Sequence, residues 1–170
     1  NFFFNPRSLA AVDHNRKLLD EEALAWLGEL PVRHQEPDGT VLAHGSPDDR
    51  DRYLITANEL ETTRAAEADT VGPGVTFFGH THQPVFFTST GAASIPLGRQ
   101  PLPEGERVMV NPGSVGQPRD GDPRAAFLWW DREAAVLNFE RVEYDVQAAR
   151  REILEAGLPE RLGDRLLEGR

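Results

Sequence analysis

The prediction of the fold starts from one stretch of the sequence, Val75-Thr76-Phe77-Phe78-Gly79-His80-Thr81-His82-Gln83-Pro84. Its first four residues are β-branched or aromatic, which predicts a buried strand that ends at Gly79. Two histidines follow, one residue apart. Because loops beyond strand ends aim side chains while the sheet holds them rigid, ligands collect at such places. The two imidazoles can share one site or face two adjacent metal ions.

The composition limits the chemistry that the chain can perform. Its 170 residues are predicted to form a single domain, 1–170, that buries its own core. No cysteine is present, so a metal must be held by His, Asp, Glu, Asn or backbone oxygen. The formal net charge of −10 argues against a duplex nucleic acid as partner, although bound divalent cations still allow a phosphorylated substrate.

The sequence contains no apolar run long enough to cross a bilayer and no charged-then-apolar leader. We therefore expect a cytoplasmic protein that has no membrane partner. The sequence starts at Asn1 without a methionine, and the apolar Phe2-Phe3-Phe4 stands where a terminus is usually polar. We expect that an upstream portion is missing.

Periodicity and turn signals predict a mixture of helices and strands. Helices are predicted at 7–19, at 21–30 after an Asp20 cap, at 57–68 with Asn58 as cap, and at 146–156 after Asp145; a short amphipathic tail follows at 159–167. Strands are predicted at 32–35, 40–43, 75–78, 85–88, 107–110, 126–130 and 136–142. Residues 90–106 show little periodicity and are predicted to be one long loop. Because hairpins are present, the sheet cannot be purely parallel.

Three histidines share the context of a predicted strand end, namely His44, His80 and His82. His14 and His34 instead lie within a helix and a strand without a supporting ligand residue, which indicates structural histidines. Three neutral imidazoles can hold one zinc ion with water in the fourth position. Two divalent ions would need a bridging carboxylate or hydroxide between them. The nearest carboxylates, Asp48, Asp49 and Asp51, are typical of a solvated loop or cap.

A second turn, Asn111-Pro112-Gly113-Ser114, follows another predicted strand. Its amide, hydroxyl and backbone N–H groups can hold an anion, brace the histidine loop or simply make a tight turn. Arg119 and Arg124 follow and can bind a phosphate bidentately, although a solvated arginine is the simpler interpretation.

These motifs, His44-Gly45, Gly79-His80-Thr81-His82 and Asn111-Pro112-Gly113-Ser114-Val115-Gly116 with Pro118-Arg119-Asp120-Gly121 after them, resemble the calcineurin-like metallophosphoesterases. The similarity runs from about Asn5 to Val142 and is greatest to small bacterial and archaeal phosphodiesterase-type members.

The resemblance implies an α+β fold, a four-layer αββα sandwich of two mixed sheets with flanking helices, represented by its C-terminal portion. It also implies a dinuclear centre of two divalent ions, drawn from Mn, Ni, Zn, Fe or Mg with Mn favoured. His44 and His80 would bind one ion and His82 the other, and a metal-bridging hydroxide would attack phosphorus. Asn111, Gly113, Ser114 and Arg119 are expected to bind substrate or support the ligands. The expected partner is a small phosphorylated molecule, with nucleotide-derived compounds among the candidates, and the oligomeric state is left open.

One departure from the family pattern is large. The family begins with Asp-x-His, Gly-Asp and Gly-Asn-His, and none of these motifs precedes His44. The catalytic residues are therefore expected upstream of Asn1, and this chain alone is expected to be inactive. Two alternatives stay open: a non-catalytic interaction scaffold on the same fold, and a single-zinc jelly roll, which the helices and the residues after His82 fit poorly.

Overall fold

The computed structural model describes residues 6–91 and 96–170. Phe2-Phe3-Phe4, on which the expectation of an upstream portion partly depends, lies outside the described residues. The helices within them are α1 (Pro6–Leu18), α2 (Glu21–Glu29), α3 (Ala57–Val71), α4 (Val146–Glu155) and α5 (Glu160–Glu168). The strands are β1 (Arg33–Gln35), β2 (Val41–Ala43), β3 (Gly74–Phe77), β4 (Val85–Phe87), β5 (Gly98–Pro101), β6 (Arg107–Asn111), β7 (Ala125–Asp131) and β8 (Val136–Val142).

The first sheet has five strands in the order β1-β2-β3-β6-β4. Its three central strands are parallel, with Val75 opposite Val108, whereas β1 and β4 pair antiparallel at the two edges. The mixed sheet that the hairpin signals predicted is therefore confirmed. Because β2, β3 and β6 run in the same direction, the loops that follow them emerge at one edge of the sheet.

The second sheet has three antiparallel strands in the order β5-β8-β7. The hairpin of β7 and β8 is where the sequence predicted it, but β5 lies inside the segment 90–106 that was predicted to be a loop. That prediction was wrong because Gly98-Arg99-Gln100-Pro101 has no apolar alternation of its own. The segment becomes a strand through its pairing with β8, and context of this kind commonly overrides local propensity.

The two sheets pack face to face through apolar side chains that alternate along their strands. Val75, Val108 and Val110 of the first sheet form one buried cluster with Leu137 and Phe139 of the second. On the opposite face of the first sheet, Leu60 of α3 belongs to a second cluster with Leu54, Phe78, Phe87 and Met109. This α+β sandwich confirms the predicted fold class, and its parallel strands and helices exclude the jelly roll.

The helix caps agree with the sequence at two of three positions. Asp20 and Asp145 accept hydrogen bonds from Ala23 N and Ala148 N, as predicted. Asn58 is not the cap of α3; Thr56 fills that position and forms a reciprocal capping box with Glu59. None of the residues of α2 is buried, and Trp26 is 62% exposed. None of the helices in the described ranges combines the length and apolar content of a membrane span.

Candidate metal centre

The three predicted metal-binding histidines lie at one edge of the first sheet. His44 follows β2, and His80 and His82 follow the neighbouring parallel strand β3. The two loops are joined where the Gly79 N–H donates to the His44 carbonyl at 2.8 Å. The convergence therefore results from the parallel pairing of two short strands, each ending at its ligand-bearing loop.

His44 and His80 are in direct contact. His44 Nε2 lies 3.0 Å from His80 Nδ1, and the ring centroids are 4.8 Å apart. Two nitrogens that each lie ~2.0–2.1 Å from one metal ion are separated by about 3 Å. The spacing therefore fits a hydrogen bond between the two rings, and it equally fits two ligands of a single ion.

His80 is held in a strained conformation with an unused nitrogen. Its φ of 64° lies in the left-handed region, which a non-glycine residue adopts only when its surroundings enforce it. Its Nε2 atom is buried and has no hydrogen-bond partner among the described residues. Burial and the neighbouring His44 lower the pKa of His80, while the backbone of Asp51 opposes this. The imidazole is thus kept neutral, the form that binds metals.

His82 has its tautomer set by the backbone. Its Nδ1–H donates to the Gln117 carbonyl at 2.7 Å, which leaves Nε2 without a proton and able to act as a ligand. Its φ of 59° is also left-handed. Burial lowers the pKa of His82, and the positive charge of Arg119 lowers it further. His82 is therefore a second neutral imidazole, oriented separately from the His44–His80 pair.

The donor set at this edge is chemically suited to divalent ions but is incomplete within the described residues. There, no group of three or more His, Asp or Glu side chains is close enough to hold an ion. The candidate carboxylates are engaged locally: Asp48 accepts from Ser46 Oγ, and Asp49 accepts from the Asp51 N–H. These local contacts occupy Asp48 and Asp49, so the imidazoles lack the negative charge that two ions require.

Asn111, at the end of β6, holds the histidine loop in place through hydrogen bonds. Its side chain is fully buried, and its amide donates to the Gly79 carbonyl at 2.9 Å and to Thr81 Oγ1 at 3.0 Å. Its Oδ1 accepts from the Gly113 N–H at 2.9 Å. These bonds connect the Asn111-Pro112-Gly113-Ser114 turn to Gly79 and Thr81, the two residues on either side of His80.

The turn itself depends on glycine. Gly113 has a φ of 88°, and a Cβ atom there would lie 2.7 Å from Ala126 Cβ and 2.9 Å from Pro84 Cγ. Ser114 Oγ accepts from the Gln117 N–H, and the Ser114 carbonyl accepts from the Ala126 N–H. Ser114 therefore fixes the position of Gln117, whose carbonyl in turn orients His82.

The two candidate arginines have different surroundings. Arg119 lies beside the histidines: its N–H donates to the His82 carbonyl, and its Nε is buried without a partner among the described residues. Arg124 is paired with Asp122 by hydrogen bonds of 2.6–3.1 Å. The Nε of Arg119 is thus not committed to a described partner, whereas Arg124 is committed to its neighbour.

The remaining predictions concern histidines away from this edge and one aromatic residue that the sequence did not indicate. His34 is exposed and pairs with Glu36 at 3.1 Å, and His14 lies in α1. Tyr53 stacks on His80 with ring centroids 3.9 Å apart and planes inclined by 29°. Nothing in the sequence marked Tyr53, because it follows a polar loop and reaches His80 only through the tertiary fold.

Comparison with known proteins identifies the family to which the chain belongs. Residues 10–133 match the family model of the calcineurin-like phosphoesterase superfamily domain. The uncharacterized protein MJ0912 of Methanocaldococcus jannaschii is 30% identical over 171 residues, covering 99% of this chain and 68% of the relative. The chain belongs to the calcineurin-like phosphoesterase superfamily.

Two solved structures share the fold. A metallophosphoesterase from Sphaerobacter thermophilus has a TM-score of 0.77 at 34% identity. The superposition covers 91% of this chain and 64% of the solved chain. The hypothetical protein PH1004 from Pyrococcus horikoshii OT3 has a TM-score of 0.76 at 19% identity, covering 99% and 63%. The chain therefore spans just under two thirds of the length of each solved chain.

Proposed function

We propose that the protein is a metal-dependent phosphoesterase that hydrolyses phosphodiesters or phosphomonoesters at a dinuclear centre. The observation that carries the proposal is the convergence of His44, His80 and His82 at one sheet edge, with His44 Nε2 only 3.0 Å from His80 Nδ1. Membership in the calcineurin-like phosphoesterase superfamily supports the reaction class.

In this proposal His44 and His80 hold one divalent ion and His82 holds the other, with manganese favoured. When bound, the ions supply Lewis-acid stabilisation of the charge that develops on the phosphoryl oxygens and lower the pKa of the attacking water. Because no described carboxylate joins the histidines, we propose that acidic ligands from outside the 170 residues complete the set. Burial, which lowers the pKa of both His80 and His82, keeps them deprotonated for this task.

The chain's other residues at this edge position the ligands and attract the substrate. The Gln117 carbonyl orients His82, and the Asn111 amide holds the loop between the two histidines. Arg119 brings a positive charge whose Nε is free for a phosphate oxygen. These groups suit a small phosphorylated molecule, and we propose one derived from a nucleotide.

The test is hydrolysis of bis-p-nitrophenyl phosphate by the intact protein with Mn²⁺, Ni²⁺, Zn²⁺ or Mg²⁺. His82→Ala is expected to lower metal-supported turnover by about 100-fold or more, because it removes a ligand whose orientation the fold provides. His34→Ala is the matched control, since that exposed histidine only pairs with Glu36, and its turnover should equal that of the parent.

Metal titration by calorimetry separates enzyme from scaffold. If the protein is an enzyme, it should bind divalent ions, and its His82→Ala variant should bind them more weakly. If the intact protein showed no turnover with any of the four metals and released no heat on titration, the non-catalytic interaction module would replace the proposal.

A further inference from the structure

Two arginines near the candidate metal centre form no ion pair. Arg119 lies next to His82, and its backbone N–H donates to the His82 carbonyl at 3.2 Å. Arg165 belongs to α5, which lies beyond the residues that match the family model. Among the described residues, no Asp or Glu pairs with either guanidinium. Both residues are partly buried.

The acids closest to the two arginines in sequence are all engaged elsewhere. Every acid of α5 and of the 117–124 loop, which contains Arg119, pairs with another arginine, namely Glu160, Asp164 and Glu168 on the helix and Asp120 and Asp122 in the loop. The chain has 28 acidic and 18 basic residues, so carboxylates are in excess. Two neighbouring arginines that still lack one are therefore a selective feature of this place.

The end of α5 is joined to this loop by hydrogen bonds. The Arg170 carbonyl accepts from Gln117 Nε2 at 2.8 Å and from Arg165 Nε at 2.7 Å, so the two side chains meet at one oxygen. The Gly169 carbonyl accepts from the Gly121 N–H at 3.0 Å. The helix thus holds its unpaired arginine against the loop that orients a metal-binding histidine.

The two guanidiniums repel each other, and solvent reaches both of them. Burial lowers the pKa of Arg165, and the positive charges of Arg119 and Arg161 lower it further. The Nη atoms of Arg119 and Arg165 donate to no described acceptor, and they are not among the buried polar atoms that lack a partner. Like charges that are held together with free donors favour an anion between them.

We propose that Arg119 and Arg165 form a phosphate-binding subsite beside the histidines, which selects substrates that carry a terminal phosphate next to the scissile one. The inference rests on the proposed function, because the histidines define the scissile position. A terminal phosphate has three free oxygens and can accept from two guanidinium forks, whereas a carboxylate matches one. The backbone bond between Arg119 and His82 places the subsite next to the metal centre, as a diphosphate requires.

The subsite would hold the leaving group of such a diphosphate. Water attacks the inner phosphorus, the bond from this phosphorus to the bridging oxygen breaks, and one proton of the water passes to solvent. The bridging oxygen keeps the bonding electrons and leaves as part of the terminal phosphate. The two guanidiniums stabilise the negative charge that this phosphate gains.

Calorimetry on the intact, metal-free protein tests the subsite by itself. Inorganic pyrophosphate should bind, and Arg165→Gln and Arg119→Gln should each weaken its binding about tenfold. Arg165→Lys keeps the charge without the fork and should bind with intermediate affinity. Arg151→Gln, at an exposed arginine of α4, is the matched control and should bind as the parent does. Malonate, with two carboxylates, should bind at least about tenfold more weakly than pyrophosphate.

Kinetics with Mn²⁺ separate the subsite from the proposed function. Adenosine diphosphate and adenosine monophosphate differ only in the terminal phosphate. Arg165→Gln should lower kcat/KM for the diphosphate at least about tenfold more than for the monophosphate, because only the diphosphate reaches the arginines. Arg151→Gln should change neither value.

The outcomes distinguish the two proposals. Turnover of bis-p-nitrophenyl phosphate together with equal losses for the two nucleotides in Arg165→Gln would overturn the subsite and leave the phosphoesterase proposal intact. Pyrophosphate binding that depends on both arginines, without turnover of any substrate, would support the subsite and contradict the phosphoesterase proposal. Absent pyrophosphate binding, equal binding by the parent and Arg165→Gln, or equal binding of malonate would overturn the subsite.

Discussion

The buried polar side chains at the two ends of the central strands β3 and β6 differ in how fully they are hydrogen-bonded. At the starting end, Arg107 is 1% exposed and donates to the carbonyls of Gly39, Gly72 and Pro73 and to Thr76 Oγ1. At the far end, His80 adopts a left-handed backbone conformation and leaves its buried Nε2 without a described partner.

The difference is the one expected between a structural polar group and a ligand-binding one. A buried group whose hydrogen bonds are all made within the chain stabilises the fold and has no capacity left for a ligand. A buried group that its neighbours orient but do not hydrogen-bond carries a free-energy cost, which is removed only when a ligand bonds to it. By this criterion Arg107 holds the sheet together, and we expect His80 to bind a partner that the described residues do not provide.

The largest expected effect is at the Arg107 end of the strands, where the guanidinium makes its hydrogen bonds within the fold. Arg107→Met should lower the free energy of unfolding by about 3–5 kcal/mol, because it leaves three carbonyls and a hydroxyl buried without donors. Urea denaturation measures it. Arg99→Met, at an exposed position of β5, is the matched control and should change stability by less than about 0.5 kcal/mol. A small effect at Arg107 would remove the contrast between the two ends.

The histidine end also contains a rigid element, the turn at Gly113. Gly113→Ala should cost about 2–3 kcal/mol, since it adds a steric conflict with Ala126 and Pro84 to a left-handed φ. Gly91→Ala has a similar φ of 80° and open space around its Cβ, so it should cost only about 1 kcal/mol. Equal melting shifts for the two variants would show that the close packing of the turn is unimportant.

A smaller effect is expected where Tyr53 stacks on His80. A double-mutant cycle of Tyr53→Ala and His80→Ala should give a coupling energy of about 1 kcal/mol in unfolding measurements. Tyr53→Phe keeps the ring and should retain that coupling. Zero coupling would mean that Tyr53 does not help to hold the strained imidazole in place.

The smallest effect is a pH dependence in the loop that carries Gln117 and Arg119. Hydrogen bonds from Arg124 lower the pKa of Asp122 from 3.8 to about 2. A lowered folded-state pKa adds stability above the unfolded value, and this stability is lost as the pH falls from about 4 towards 2. After solvent screening it amounts to about 1 kcal/mol. Asp122→Asn should flatten this part of the stability curve.

The parts of the fold that could be predicted are those with a local signal. The strand before Gly79, the hairpin of β7 and β8 and the caps Asp20 and Asp145 all follow from periodicity or capping preference, and all are present. The errors lie where a local signal was absent or ambiguous. β5 has no alternation and exists through pairing, whereas the cap of α3 had two local candidates, and the Thr56-x-x-Glu59 capping box prevails over Asn58.

For the candidate site, the sequence by itself determined which residues have the chemistry: three histidines at strand ends, a turn that needs glycine, and no cysteine to compete. Only the tertiary structure decided which of them meet. The parallel pairing of β2 with β3 brings His44 to His80, and the contacts of Gln117, Tyr53 and Arg119 with the histidines join residues 27 to 37 positions apart. Such contacts depend on how strands pair across space, and no local pattern in the sequence encodes that.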